Sequence, residues 1–248
     1  FVARPAKETP LSAIAMAVLA ERAGVPKGVL SMIPGSDSKG IGAEMCSNPK
    51  VRKLTFTGST EVGRILMKQC AHDIKKLSLE LGGNAPFLVF DDADLDAAVE
   101  GAMIAKFRNS GQTCVCANRI YVQRGVADAF AEKLAAATSK LKVGNGMDDG
   151  VQIGPLIDEK GVEKVEDHVA DAVSKGAKVV TGGKRSELGG TYFQPTVLSG
   201  VSKGMKVLSE ETFGPVAPII AFDTIDEGIA LANDTEFGLA AYFYARDI

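Results

Sequence analysis

Lys53-Leu54-Thr55-Phe56-Thr57-Gly58-Ser59-Thr60-Glu61-Val62-Gly63 runs from a short apolar segment through small hydroxyl residues into a helical pattern. Residues 53–56 predict a strand, Thr57-Gly58 the turn that ends it, and residues 60–71 a helix. Strand followed directly by helix is the unit of parallel sheets, because a parallel neighbour needs a crossover and the helix supplies it. Free N–H groups at the start of such a helix, together with its dipole, also attract phosphate. A P-loop does not fit: Gly63 is followed by Arg64-Ile65 where Lys and then Ser or Thr are needed, and no G-x-G-x-x-G occurs in the chain. Taken alone, the loop reads as a plain βα turn.

The same rhythm extends in both directions. Upstream, Thr9-Pro10 predicts an N-cap and first-turn proline for a helix over 10–23 ending near Gly24, followed by a short strand at Val29–Ile33 and a helix at Ser38–Cys46. Downstream come strands at 74–80 and 86–90, a helix from Ala93 to Arg108 after the acidic start Asp91-Asp92, a strand at Arg119–Val122 and a helix at Val126–Leu141. Val162, Val165, Val169 and Val173 mark one helical face; Ala177–Thr181, Thr196–Leu198 and Val216–Phe222 read as strands before a helix at 225–232. The prediction is an α/β fold of two parallel-sheet lobes with covering helices, divided at Gly82-Gly83 into residues 1–82 and 83–248.

Of 248 residues 46% are hydrophobic, and 28 Lys+Arg against 31 Asp+Glu give a net charge of -3. There is no basic excess for nucleic acid, and the longest apolar stretch, Leu11–Ala20, is too short and interrupted to cross a membrane. Cysteines at 46, 70, 114 and 116 form neither a zinc pattern nor a disulfide ladder, so no metal site is expected and a reducing compartment, cytoplasm or mitochondrial matrix, is. Phe1-Val2-Ala3 opens like the end of a buried strand running into Arg4-Pro5, and there is no initiator Met; both read as a cut through a longer chain whose N-terminus is absent.

Two stretches could carry chemistry. Glu80-Leu81-Gly82-Gly83 sets a carboxylate at a strand end beside two glycines that let backbone or ligand come close. Gly111-Gln112-Thr113-Cys114-Val115-Cys116 sets a cysteine behind a polar, glycine-containing lead-in, which argues for the partial exposure a nucleophile needs. His72 and His168 are the only histidines, and both read as structural, so a carboxylate is the better base partner for Cys114. Cys116, one residue removed, is either a redox partner closing a small strained ring or a packed, silent residue.

With Phe56–Gly63, Glu80–Gly83, Gly111–Cys114 and Glu210-Glu211-Thr212-Phe213-Gly214-Pro215 in this order, the chain resembles the NAD(P)-dependent aldehyde dehydrogenases along its whole length. Lys75–Phe87, Lys106-Phe107-Arg108-Asn109, Cys114–Cys116 and Ala240–Tyr244 resemble the succinate-semialdehyde branch. The resemblance implies part of a Rossmann-like cofactor domain followed by an α/β catalytic domain that oxidises succinate semialdehyde to succinate. Another short aldehyde such as glutarate semialdehyde, or a non-catalytic nucleotide-binding fragment, remains the alternative.

Under the resemblance, Cys114 attacks the aldehyde and Glu80 activates the water that hydrolyses the resulting thioester, the two side chains sharing one cavity. Arg108 binds the substrate carboxylate. Arg4, Lys7, Gly58, Ser59, Gly63, Leu81, Glu211 and Phe213 bind NADP or NAD, and Lys7, where NAD-preferring members carry glutamate, inclines the preference toward NADP. The family's oxyanion-stabilising asparagine and a second substrate arginine fall upstream of Phe1, and its oligomerisation elements beyond Ile248; the full-length protein is expected to be a homo-oligomer with a small-molecule semialdehyde as its partner.

Overall fold

The computed structural model describes residues 1–247 and divides into two units, Phe1–Leu81 and Gly82–Ile248. In the first, β1 (Val2–Ala3), α1 (Leu11–Arg22) and β2 (Ser31–Met32) make one parallel crossover. After α2 (Ser38–Ser47), a second crossover is made by β3 (Lys53–Thr57), α3 (Thr60–Cys70) and β4 (Lys76–Glu80). Cys46, Leu54, Leu66 and Cys70 form its buried core. Three local expectations change. Pro10, not Thr9, holds the N-cap of α1, without a side-chain cap bond, and no residue of α1 is buried. Ile74 takes φ +50° in a turn, which delays β4 to Lys76. Phe1 is 79% exposed, so β1 is not a buried strand here.

The second unit is a six-stranded sheet. In chain order its elements are β5 (Ala85–Val89), α4 (Leu95–Phe107), a 3₁₀ turn (Arg108–Gly111), β6 (Ala117–Gln123), α5 (Arg124–Thr138), α6 (Glu159–Ser174), β7 (Lys178–Thr181), β8 (Thr196–Ser199), α7 (Lys206–Ser209), β9 (Val216–Phe222), α8 (Ile225–Asn233) and β10 (Tyr242–Tyr244). The strand order is β10-β5-β6-β9-β8-β7. Alternate strand residues feed two cores: Phe87, Val89, Ile120 and Ile219 pack with Phe130 and Leu134 of α5, whereas Leu88, Tyr121 and Ile220 pack with Val162, Val165 and Val169 of α6. Both faces are therefore covered, which is why β5 and β9 read as near-continuous apolar runs.

Expectation and structure part at particular places. β7 lies antiparallel to β8, because residues 182–195 join them without a helix and the chain turns straight back. α5 starts at Arg124 and ends at Thr138, earlier at both ends than expected. On α6 the buried stripe runs through Val162, Val165, His168 and Val169, leaving Val173 45% exposed. α7 and β10, of four and three residues, were too short to carry a periodic signal.

Candidate active site

Three connecting segments of the second unit meet at the amino ends of its parallel strands: Gly82-Gly83 before β5, Gly111–Cys116 before β6 and Glu210–Pro215 before β9. Glycines permit the meeting. A methyl group on Gly83 would strike the Cys114 carbonyl oxygen, and one on Gly111 would strike the Gly214 carbonyl. Asn109, Ser110 and Gly111 take φ values of 52°, 57° and 75°, a left-handed turn that costs roughly 1–2 kcal/mol at each non-glycine position. Side chains hold it in place: Ser110 Oγ donates to Gly154 O at 3.0 Å, Asn109 Nδ2 to Gln112 O at 3.0 Å, and Ile157 N donates to Gln112 Oε1 at 2.9 Å.

Cys114 leaves this turn half-buried with a free thiol, and among the described residues its backbone N–H donates to no acceptor. Cys116 is buried, its thiol donating to Lys106 O at 3.1 Å. That is the setting of a packed residue, and a disulfide with Cys114 would require this bond to break. Lys106, wholly buried, donates through Nζ to Asn118 Oδ1 at 2.8 Å. Asn118 falls at the register shift between β5 and β6, a bulge that redirects the chain where it leaves the cysteine turn. Tyr242 donates its hydroxyl to Val115 O at 2.7 Å. Burial above all pushes that phenol's pKa up; the Cys116 and Cys114 thiols add to the rise, and the Arg108 guanidinium opposes it. Arg108 is exposed at the start of the same turn, six residues before Cys114.

Glu211 is half-buried and accepts from Gly83 N at 3.1 Å. Burial raises its carboxyl pKa, against the Gly83 hydrogen bond and the charges of Lys164 and Lys106. Phe213 takes φ +52° and is 39% exposed, an unusual pair of properties for a core aromatic. α6 holds this segment: Lys164 Nζ donates to Glu211 O at 2.5 Å, and His168, wholly buried, contacts Thr212 Oγ1 through Nδ1 at 3.1 Å and Glu210 Oε2 through Nε2 at 3.3 Å. Neither His168 nor Tyr242 was singled out for the site from sequence. The position of His168 between Val165 and Val169 was the available signal.

In the first unit the anticipated residues stand at carboxyl ends of strands. Glu80 ends β4, exposed and in register with Thr57, and its carbonyl accepts from Gly58 N at 3.0 Å. Ser59 caps α3 by accepting from Val62 N at 3.4 Å. Gly63, inside α3, faces the Leu81 side chain, which a methyl there would meet at 2.5 Å. Arg4 donates to Gly35 O at 3.1 Å and Ser38 Oγ at 2.6 Å, fastening β1 to the start of α2. Lys7 is exposed and pairs with Glu8 at 2.9 Å. Glu80 thus belongs to one unit and Cys114, Arg108, Glu211, Phe213 and Cys116 to the other. Among the described residues no His, Cys, Asp and Glu side chains gather into a metal-holding group, and no helix is long and apolar enough to cross a membrane.

A family model described as the aldehyde dehydrogenase family matches residues 1–248. A glutarate-semialdehyde dehydrogenase of Pseudomonas aeruginosa is 67% identical over 248 residues, covering 100% of this chain and 51% of that protein. A succinate-semialdehyde dehydrogenase (NADP(+)) of Escherichia coli strain K12 is 66% identical with the same coverage. The crystal structure of an E. coli NADP-dependent enzyme superposes with a TM-score of 0.98 at 66% identity, over 100% of this chain and 51% of that one. The chain therefore spans about half the length of the curated relatives it matches.

Proposed function

The chain belongs to the aldehyde dehydrogenase family, and on that premise we propose that its full-length protein oxidises a short aldehyde bearing a carboxylate, succinate semialdehyde first and glutarate semialdehyde second, with NADP or NAD. The observation that carries this reading is the meeting of Gly83, the Cys114 turn and the Glu211–Gly214 segment through backbone contacts that only glycine allows. The relatives named for glutarate and for succinate semialdehyde share the chemistry of an aldehyde with a distal carboxylate. Arg108 answers it: a guanidinium grips a carboxylate with two parallel hydrogen bonds, and it opens the turn that leads to Cys114.

In the proposed reaction the Cys114 thiolate adds to the aldehyde carbon, and the Cys114 N–H is available to the oxyanion that forms; one such donor is worth roughly 3 kcal/mol of transition-state stabilisation. NAD(P), when bound, supplies the acceptor for hydride. Glu80 takes the proton of the water that cleaves the thioester and releases the acid.

The residues present suit such a cofactor. Glu211 keeps carboxylate capacity beyond its one bond to Gly83 N, enough for a ribose diol, and the exposed Phe213 offers a ring face to a flat heterocycle. Gly58 and Ser59 stand at the start of α3, where a pyrophosphate is favoured, with Gly63 and Leu81 packed behind them. Lys7, which pairs with Glu8, is the cation assigned to a 2′-phosphate, and Arg4 bonds to Gly35 O and Ser38 Oγ beside it in sequence. Rapid-mixing kinetics of the full-length protein test the reading. Cys114→Ser should form no reduced nucleotide, and Glu80→Gln should give a single burst without turnover. Arg108→Ala should lose kcat/KM for semialdehydes while sparing an uncharged aldehyde of similar length. Steady turnover by Cys114→Ser would remove the proposal.

A further inference from the structure

Residues 210–213 lead into β9 and bring Phe213 to φ +52°, a conformation that a side-chain-bearing residue keeps only when its surroundings enforce it. The enforcement comes from α6. Both nitrogens of the wholly buried His168 ring are engaged, Nδ1 at 3.1 Å from Thr212 Oγ1 and Nε2 at 3.3 Å from Glu210 Oε2. A carboxylate only accepts, so the proton sits on Nε2 and donates to Glu210, while Nδ1 accepts from the Thr212 hydroxyl. The neutral ring satisfies every partner. Thr212 is itself buried, and Glu210 is in extended conformation.

Tying residues 210 and 212 to one ring fixes the chain on both sides of Glu211, whose carboxylate accepts from Gly83 N at 3.1 Å. Lys164, one turn before His168, holds the Glu211 carbonyl at 2.5 Å, and Val165 backs Gly214. We propose that His168 and Thr212 are positioning residues for cofactor binding: together they aim the Glu211 carboxylate and hold the Phe213 ring where the nicotinamide end of the nucleotide docks. This rests on the reading of Glu211 and Phe213 as cofactor-binding residues.

The full-length protein is titrated with NADPH and NADH, followed by nucleotide fluorescence, as wild type, Thr212→Val, Thr212→Ser, His168→Gln and Glu211→Gln. Thr212→Val keeps the branched shape and removes the hydroxyl; Thr212→Ser restores it. Thr212→Val and His168→Gln should weaken nucleotide about tenfold, the scale of one lost buried hydrogen bond. Thr212→Ser should bind close to wild type, and the aldehyde KM at saturating nucleotide should stay unchanged in Thr212→Val. If His168→Gln does not fold, the Thr212 pair decides. Wild-type nucleotide binding by Thr212→Val alongside weakened binding by Glu211→Gln overturns the positioning role, as does a parallel rise in aldehyde KM. Wild-type binding by Glu211→Gln overturns the cofactor reading, and this inference with it.

Discussion

Gly82 and Gly83 are neighbours that face different atoms, and substitution separates their roles. A methyl on Gly83 meets the Cys114 carbonyl, part of a backbone pinned by the Tyr242–Val115 hydrogen bond, whereas one on Gly82 meets the end of the Glu211 side chain at 2.8 Å, which can rotate. Gly83→Ala should therefore destabilise by roughly 1–3 kcal/mol, as overpacking does, and slow alkylation of Cys114. Gly82→Ala should leave alkylation unchanged and raise the nucleotide dissociation constant several-fold. Chemical denaturation and timed iodoacetamide labelling read both. His168 gives a pH signature. Burial first and the Lys164 charge second push its pKa below the ordinary 6.5, against Glu210 and Asp167. The unfolded chain thus takes up a proton before the folded one does. The contribution of His168 to stability is present above pH 6.5 and is lost as pH falls from there through the depressed value. Unfolding free energies measured across that window should fall in wild type and fall less in His168→Gln. At this scale the sequence singled out Cys114, Glu80 and the glycines as candidates, because each stands in a short local pattern. It hid the Lys106–Asn118 and Tyr242–Val115 partners, which are 12 and 127 residues apart and meet only through the packing of α4 on the sheet and through strand pairing.

Helices and strands were legible where capping and periodicity agreed. α4 begins after Asp94, whose carboxylate accepts from Asp96 N and Ala97 N, and the acidic lead-in had announced that start. β7 could not be oriented from its own residues, since direction depends on the connection that follows. Nor does any sequence pattern reveal how α8 is fastened. Arg119, fully buried on β6, donates to Leu231 O at 3.1 Å and Ala232 O at 3.0 Å in the last turn of α8, and to Asn84 O at 2.8 Å before β5. A guanidinium at a helix C-terminus complements the dipole, and its fixed fork serves several carbonyls at once. Arg119→Leu would take this donor from the Asn84, Leu231 and Ala232 carbonyls, of which Leu231 O keeps the Asp234 N–H. At about 1–3 kcal/mol for each unsatisfied group, the variant should lose about 3 kcal/mol or more in urea unfolding, while Arg124→Leu, whose guanidinium pairs with exposed Asp223, should lose less than about 1 kcal/mol.

Across the whole molecule the two units differ in how much apolar surface secures them. Among the described residues, Phe1–Leu81 has a core of four buried residues, whereas Gly82–Ile248 has two clusters of seventeen and sixteen. Local opening follows buried contact, so the 248-residue chain should open first in its first unit. Its thiols report this directly. Cys46 and Cys70 belong to the small core, Cys116 lies in the second unit, and all three are buried. Burial and the neighbouring Cys70 thiol push the pKa of Cys46 up to about 11, so in the folded chain it stays a thiol and reacts slowly. Pulsed alkylation along a urea gradient should label Cys114 without denaturant, Cys46 and Cys70 at intermediate urea, and Cys116 last, at the concentration where β5, β6 and β9 lose amide protection. A common midpoint for Cys46, Cys70 and Cys116 would instead mean that both units unfold as one cooperative body.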